Sequence, residues 1–129
     1  MRSVPKVLVV EDEHDIAVLI KHALERSGDA TVEIVSSGDT ALTAAADLLP
    51  DLIILDIILP GIHGIEILQI LKGDPELERI PVLMLTSLSE ADRIKECLDS
   101  GAKGYIIKDK RVSAEEIAEK VNLLLNLPD

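Results

Sequence analysis

The sequence predicts an α/β fold in which a parallel sheet is covered by helices on both faces. Short aliphatic, β-branched runs recur along the chain, and stretches with helical spacing separate them. The interior must be aliphatic, because the 129 residues include one tyrosine and no Phe or Trp. Strands buried on both faces read as near-continuous Val/Ile/Leu runs, and their alternation with helices is the pattern of a parallel sheet.

The elements follow in order. KVLVV at 6–10 is a strand that ends at the acids Glu11, Asp12 and Glu13. The helix after it places Ile16, Ile20, Ala23 and Leu24 on one face and stops at Ser27-Gly28. TVEIV at 31–35 is the second strand, and Ser36-Ser37 beyond it reads as a helix start. Ala41, Leu42, Ala45 and Leu48 line the second helix, which ends before Pro50. LIIL at 52–55 is the third strand, with Asp56 at its exit; the next helix carries Ile65, Leu68 and Leu71 and meets Gly73 and Pro75. PVLMLT at 81–86 is followed by a helix over about 90–99, stopped by Ser100-Gly101. GYIIK at 104–108 is the fifth strand, and Ser113 with Glu116 spells a capping box for a last helix running to about Asn126. With no repeat or linker, residues 1–129 read as one domain with a core over about 6–126.

The 24 acids against 13 bases give a net charge of −11, which repels a phosphate backbone, so direct nucleic-acid binding is not expected. Cys97 stands alone, which leaves no disulfide framework and no thiolate metal site; it reads as a space-filling helix residue. His14, His22 and His63 lack the spacing of a zinc site and read as surface residues. No apolar run reaches about 18 residues, and residues 1–6 lead directly into a strand. Neither a membrane span nor a secretory leader is expected, and the reading is cytoplasmic.

In open parallel sheets, ligands bind outside the carboxyl ends of the strands. The polar residues there are Glu11, Asp12, Asp56, Thr86, Ser87 and Lys108. A lone carboxylate is costly to bury, so Asp56 within LIILDIILPGIHG needs a reason. Singly, each residue has a plain reading. Asp56 could form an Asx turn, Glu11 and Asp12 could start a helix, Thr86 could be an ordinary β-former and Lys108 a solvated lysine. At one edge of one sheet they make a chemical constellation.

That constellation closely resembles the receiver domain of two-component response regulators. The resemblance spans about residues 6–126. It rests on Glu11-Asp12, on DIILPGIHG (D-x-x-x-P-x-x-x-G), on Thr86 followed by small Ser87, and on Lys108 in GYIIKD. It implies a flavodoxin-like (βα)5 fold, a doubly wound five-stranded parallel sheet with order 2-1-3-4-5. It also implies that Asp56 accepts a phosphoryl group from a sensor histidine kinase or a histidine phosphotransfer protein in a phosphorelay. The domain would catalyse this on itself rather than turn over a separate substrate. Asp12 and Asp56 are the implied carboxylate ligands of Mg²⁺, with Mn²⁺ as the alternative. The backbone carbonyl of Ile58 completes the set, and Glu11 acts through metal-bound water. Hard oxygen ligands suit Mg²⁺, which keeps several waters. Lys108 is the implied charge-assisted donor to the phosphoryl oxygens, and Thr86 the hydroxyl donor once the group is attached.

The family's switch implies that Thr86 moves toward the phosphoryl group while Tyr105 swings inward. The surface of the fourth helix, fifth strand and fifth helix then changes, reaching a downstream output protein or domain and leaving a homodimer through that surface open. Kinase specificity is expected mainly on the first helix, at residues such as His14 and Lys21. Three departures stand out. Asp109 follows Lys108 where many receivers have a cis Lys-Pro bond, and the acidic pair is Glu-Asp rather than Asp-Asp. Ile58 and Leu88 are apolar where receivers line the route of hydrolytic water, so slow loss of the phosphoryl group is expected.

Rival readings fail on particular residues. A haloacid-dehalogenase-type enzyme needs a second acid two residues after its nucleophile, where Ile58 stands. Flavin binding needs a hydroxyl- and Gly-rich loop where this chain has EDEHD. The serious alternative is a pseudo-receiver, a phosphorylation-independent binding module, which the complete reactive set disfavours. A stand-alone receiver and a fragment of a longer regulator both fit the sequence. NLLLNL at 122–127 holds more leucines than one buried helix face needs.

Overall fold

In the computed structural model, strands β1 (Lys6–Val10), β2 (Thr31–Val35), β3 (Leu52–Asp56), β4 (Val82–Thr86) and β5 (Gly104–Ile107) alternate with helices. The helices are α1 (His14–Glu25), α2 (Gly38–Leu48), α3 (Gly64–Gly73), α4 (Ile94–Asp99) and α5 (Ala114–Leu125). The structure describes residues 4–26, 28, 30–108 and 113–126, without the side chains of residues 88, 89 and 91. All strand pairs are parallel and the order is β2-β1-β3-β4-β5, the order the resemblance implies.

Side chains alternate between the two faces of a strand, and this sorts the core into two layers. Leu8, Val10, Ile53, Leu55, Val82 and Met84 meet Ala41, Ala45, Leu68, Leu71 and Cys97 from α2, α3 and α4. Val7, Val9, Leu52, Ile54, Leu83 and Leu85 meet Ile20, Leu24, Ile117 and Val121 from α1 and α5. Every residue of β3 and β4 is buried, so these strands carry unbroken apolar runs. At the edge strand β2, Thr31 and Glu33 reach solvent between buried or half-buried neighbours.

Local chemistry sets the helix ends. Ser37 Oγ accepts from Thr40 N–H at 3.4 Å at the start of α2, and Ser113 Oγ accepts from Glu116 N–H at 3.1 Å at the start of α5. The predicted face of α1 is buried at Ile20, Ala23 and Leu24, joined by Ala17, with Ile16 half-buried. Its predicted stop at Ser27 lies outside the described residues. On α5, Leu124 and Leu125 pack on the core while Leu123 faces solvent; Leu127 lies outside the described residues.

The boundaries differ from expectation at four elements. The helix expected over 90–99 is instead a 3-10 helix, Leu88–Arg93, followed by α4. Its turn closes through Glu90 N–H to Ser87 O at 3.0 Å, an i+3 spacing that apolar periodicity over so short a segment cannot separate from i+4. β4 begins at Val82, because Pro81 has no N–H for the ladder. β3 extends through Asp56, and β5 stops before Lys108. Among the described residues, no helix is long and apolar enough to cross a membrane.

Candidate phosphoacceptor site

Strand ends bring the site together. Beyond β1, Glu11 N–H donates to Val35 O at 3.0 Å, so the chain stays on the sheet one residue longer and Glu11 is buried. Past β3, Ile57 N–H donates to Leu85 O at 3.0 Å, and the chain then doubles back until Gly64 N–H reaches Ile57 O at 2.8 Å. A Cβ on Gly64 would overlap the Asp56 carbonyl oxygen, so the last glycine of D-x-x-x-P-x-x-x-G is a steric requirement. Gly61 makes the turn with φ +82°, in the left-handed region. Past β5, Lys108 N–H donates to Thr86 O at 2.8 Å, which sets the lysine above the end of β4.

The buried polar or charged residues among those described are Glu11, Asp56 and Thr86, at 1%, 2% and 0% exposure. Lys108 answers the two carboxylates. Its Nζ donates to Asp56 Oδ2 at 2.7 Å, to Glu11 Oε1 at 3.0 Å and to Glu13 Oε1 at 2.9 Å. Asp56 Oδ1 accepts from Ile58 N–H at 3.2 Å, and Glu11 Oε2 from Glu13 N–H at 3.0 Å. Burial opposes the Lys108 ammonium, yet its bonds to Asp56, Glu13 and Glu11 outweigh that and hold its pKa above the ordinary lysine range. Glu11 moves the other way: burial, then the neighbouring Asp56, push its carboxyl up to about 8, against the opposing pull of Glu13 N–H and Lys108.

Carboxylate oxygens of Glu11, Asp12 and Asp56 lie within 4.8 Å of one another. Hard oxygens at that spacing fit a divalent cation. Asp12 is exposed and opens the cluster to solvent. An open recess of about 300 Å³ lies in front, lined by Asp12, Glu13, Asp56, Ile58, Ser87, Glu90 and Lys108.

The structure brings Glu11, Asp12, Asp56 and Lys108 together and puts Ile58, 42% exposed, at the recess. Thr86 is adjacent but turned away: its hydroxyl donates to Ser87 O at 3.0 Å, and Ser87 rather than Thr86 lines the recess. Tyr105 is half-buried on β5 and packs on the α2–α4 layer. Lys120 holds it from outside, with Nζ 5.1 Å from the ring centroid and 2.6 Å from Tyr105 O. His14, His22 and His63 are exposed and Cys97 is buried, its thiol pushed up by burial and by Glu96. Asp109 and the side chain of Leu88 lie outside what is described.

Sequence reasoning missed Glu13 and Glu90. Glu13 stood in view as a third acid after β1, but its contact is with a lysine 95 residues away. Glu90 reaches the recess only because of the 3-10 turn, and pairs with Arg93 at 3.2 Å.

Comparison with known proteins gives the same picture from outside. The family model "Response regulator receiver domain" matches residues 7–122. The chain is similar to the phosphate regulon transcriptional regulatory protein PhoB of Rhizobium meliloti, 40% identical over 121 residues, covering 94% of this chain and 52% of that protein. It is similar also to the DNA-binding dual master transcriptional regulator RpaA of Synechocystis, 36% identical, covering 97% and 51%. The chain thus spans about half the length of these curated relatives. Among solved structures, a putative response regulator from Chloroflexus aurantiacus superposes with a TM-score of 0.87 at 28% identity, covering 95% of this chain and 98% of that one. The phosphorylated cyanobacterial phytochrome response regulator RcpA gives 0.86 at 30%, covering 96% of both. The Mn²⁺-bound form of response regulator Rcp1 gives 0.84 at 25%, covering 97% of both.

Proposed function

The chain belongs to the response regulator receiver domain family, and from that premise we propose that Asp56 takes a phosphoryl group from a phosphohistidine in a Mg²⁺-dependent reaction. The acidic pocket of Glu11, Asp12 and Asp56 fits the family's phosphoacceptor site. The observation that carries the proposal is the 2.7 Å approach of Lys108 Nζ to Asp56 Oδ2 beside that pocket.

Asp56 Oδ forms a bond to phosphorus as the donor's P–N bond breaks, and the electron pair leaves with the imidazole nitrogen. The product is an aspartyl phosphate, an activated acyl species. Asp12 and Asp56 would hold the cation, with the Ile58 carbonyl completing the protein's share and Glu11 acting through its waters. When bound, Mg²⁺ screens the repulsion between the carboxylate and the phosphoryl oxygens. Manganese in the Rcp1 relative supports a divalent ion of this class. Lys108 turns one N–H to a phosphoryl oxygen. The Thr86 hydroxyl leaves Ser87 O for another, a rotation rather than a rebuilding. Tyr105 follows inward and alters the α4-β5-α5 surface.

We read the chain as a single receiver domain whose partners are a sensor histidine kinase or histidine phosphotransfer protein and a downstream output protein or domain. This places its work in the cytoplasm. Ile58 beside Asp56 cannot orient a water, which supports slow hydrolysis.

The test is incubation with acetyl phosphate or phosphoramidate, with and without Mg²⁺, read by intact mass on wild type and Asp56→Asn. A Mg²⁺-dependent gain of one phosphoryl group that vanishes in the variant is expected. No gain, together with no binding of Mg²⁺, would sink the proposal in favour of a phosphorylation-independent module.

A further inference from the structure

An ammonium has three N–H donors, and all three on Lys108 are taken, by Asp56, Glu11 and Glu13. A phosphoryl oxygen on Asp56 therefore cannot be met by Lys108 until one of these partners lets go. The three are not equivalent. Asp56 is the acceptor itself. Glu11 is buried, and its second oxygen is tied to Glu13 N–H at 3.0 Å. The Glu13 side chain is 59% exposed, so its carboxylate can return to water at little cost.

Glu13 also forgoes its ordinary use. It occupies the N-cap position of α1, where an acidic side chain can satisfy a free N–H and suit the helix dipole. Its carboxylate makes no capping bond. The side chain is turned instead across the strand ends to Lys108, at 2.9 Å. The backbone of the same residue fixes Glu11 through its N–H and starts α1 through Glu13 O, which accepts from Ala17 N–H at 3.0 Å. Glu13 thus has a fixed main chain and a side chain free to leave.

We infer that Glu13 is a positioning residue that restrains Lys108 in the resting domain and is the partner exchanged for the phosphoryl oxygen when Asp56 is modified. This rests on the proposed phosphoacceptor role of Asp56. With acetyl phosphate, Asp56 Oδ bonds to phosphorus as the P–O bond to acetate breaks and acetate leaves with the electron pair. Lys108 is needed on the phosphoryl oxygens as this happens, and the Glu13 contact must be given up first. An exposed ion pair of this kind corresponds to a rate factor of roughly two to five.

The experiment measures the rate of phosphoryl gain from acetyl phosphate at saturating Mg²⁺ for wild type, Glu13→Gln and Glu13→Asp, with thermal unfolding recorded for each. Glu13→Gln removes the charge; Glu13→Asp keeps the charge but shortens the reach. The inference expects both variants to gain the phosphoryl group roughly two- to fivefold faster than wild type, with similar unfolding midpoints. Added salt should speed wild type more than either variant, since screening weakens an exposed pair. Acceleration in Glu13→Gln alone, with Glu13→Asp at the wild-type rate, would mean general repulsion of an anionic donor and would overturn it. Unchanged or slower rates in both variants would overturn it as well. A wild type that takes no phosphoryl group at all would remove instead the reading of Asp56 on which the inference stands.

Discussion

The Asp56 carboxylate and the Lys108 ammonium lie 2.7 Å apart with side-chain exposures of 3% and 9%, although 52 residues separate them in the chain. A pair so little exposed is worth less as a bond than it costs to break. Removing one partner leaves the other charge stranded. Lys108→Met is therefore expected to destabilise the metal-free domain by on the order of 3 kcal/mol. Because the variant leaves the buried Asp56 and Glu11 carboxyl groups and the exposed Glu13 without their shared cation, added Mg²⁺ should stabilise it more than wild type. Urea unfolding in chelator and in Mg²⁺ measures both effects; equal metal responses would contradict the arrangement.

The second expectation concerns pH in the metal-free state. The fold raises Glu11 from 4.5 to about 8, chiefly through burial and the nearby Asp56, so the folded state favours the protonated carboxyl. A raised group contributes stability that is complete below its unfolded value and is lost as pH rises through the folded one. Glu11→Gln carries no such titration. The stability difference between wild type and variant should move in favour of the variant as pH rises from 4.5 to about 8. Paired thermal melts in chelator across that window give the difference directly. A difference that is flat, or moves toward wild type, would refute it.

Gly64 provides a steric test. A Cβ there overlaps the Asp56 carbonyl oxygen and approaches Asp56 C and Ile57 Cα at 2.9 Å, all of it backbone that cannot step aside cheaply. Gly64→Ala should cost about 3 kcal/mol or more. Gly73 is the control, since a Cβ there meets nothing within 4 Å. Gly73→Ala should be neutral or up to about 0.5 kcal/mol stabilising. Chemical denaturation of both variants checks the contrast, and equal losses would mean that the close approach does not govern the turn.

Tyr105 is the one aromatic residue in the chain, so tyrosine fluorescence reports it without interference. Its ring is half-buried and covered by the Lys120 ammonium. If the ring moves when the site is charged, Mg²⁺ with beryllofluoride should change the emission intensity. Thr86→Ala, lacking the hydroxyl that donates to Ser87 O, should blunt the change. Constant emission in wild type would count against a moving Tyr105.

Much of this fold was legible in the residues because both faces of β3 and β4 are covered, so their apolar runs could not be mistaken for half-exposed strands. Ser113 and Glu116 announced α5 through a bond the structure contains. Glu11, Asp12, Asp56 and Lys108 could be gathered because strand ends are the one place where a parallel sheet assembles distant residues. What stayed hidden depends on torsions and turns. The Thr86 hydroxyl could have pointed into the recess or, as it does, to Ser87 O. Glu13 could have capped α1 or reached Lys108, and residue type does not choose between them. The 3-10 segment before α4 escaped because helical periodicity needs more than six residues to declare its pitch.

The placement of β3 and β5 has a mechanical consequence. β3 is flanked by β1 and β4, whereas β5 has a neighbour on one side only. The Asp56 carboxylate is thus mounted on the central strand of the sheet, and its counter-ion just past an edge strand, where local opening is expected to cost less than at the centre. Hydrogen exchange should find slower amides behind Asp56 than behind Lys108, a rigid mount for one charge and a more yielding one for the other.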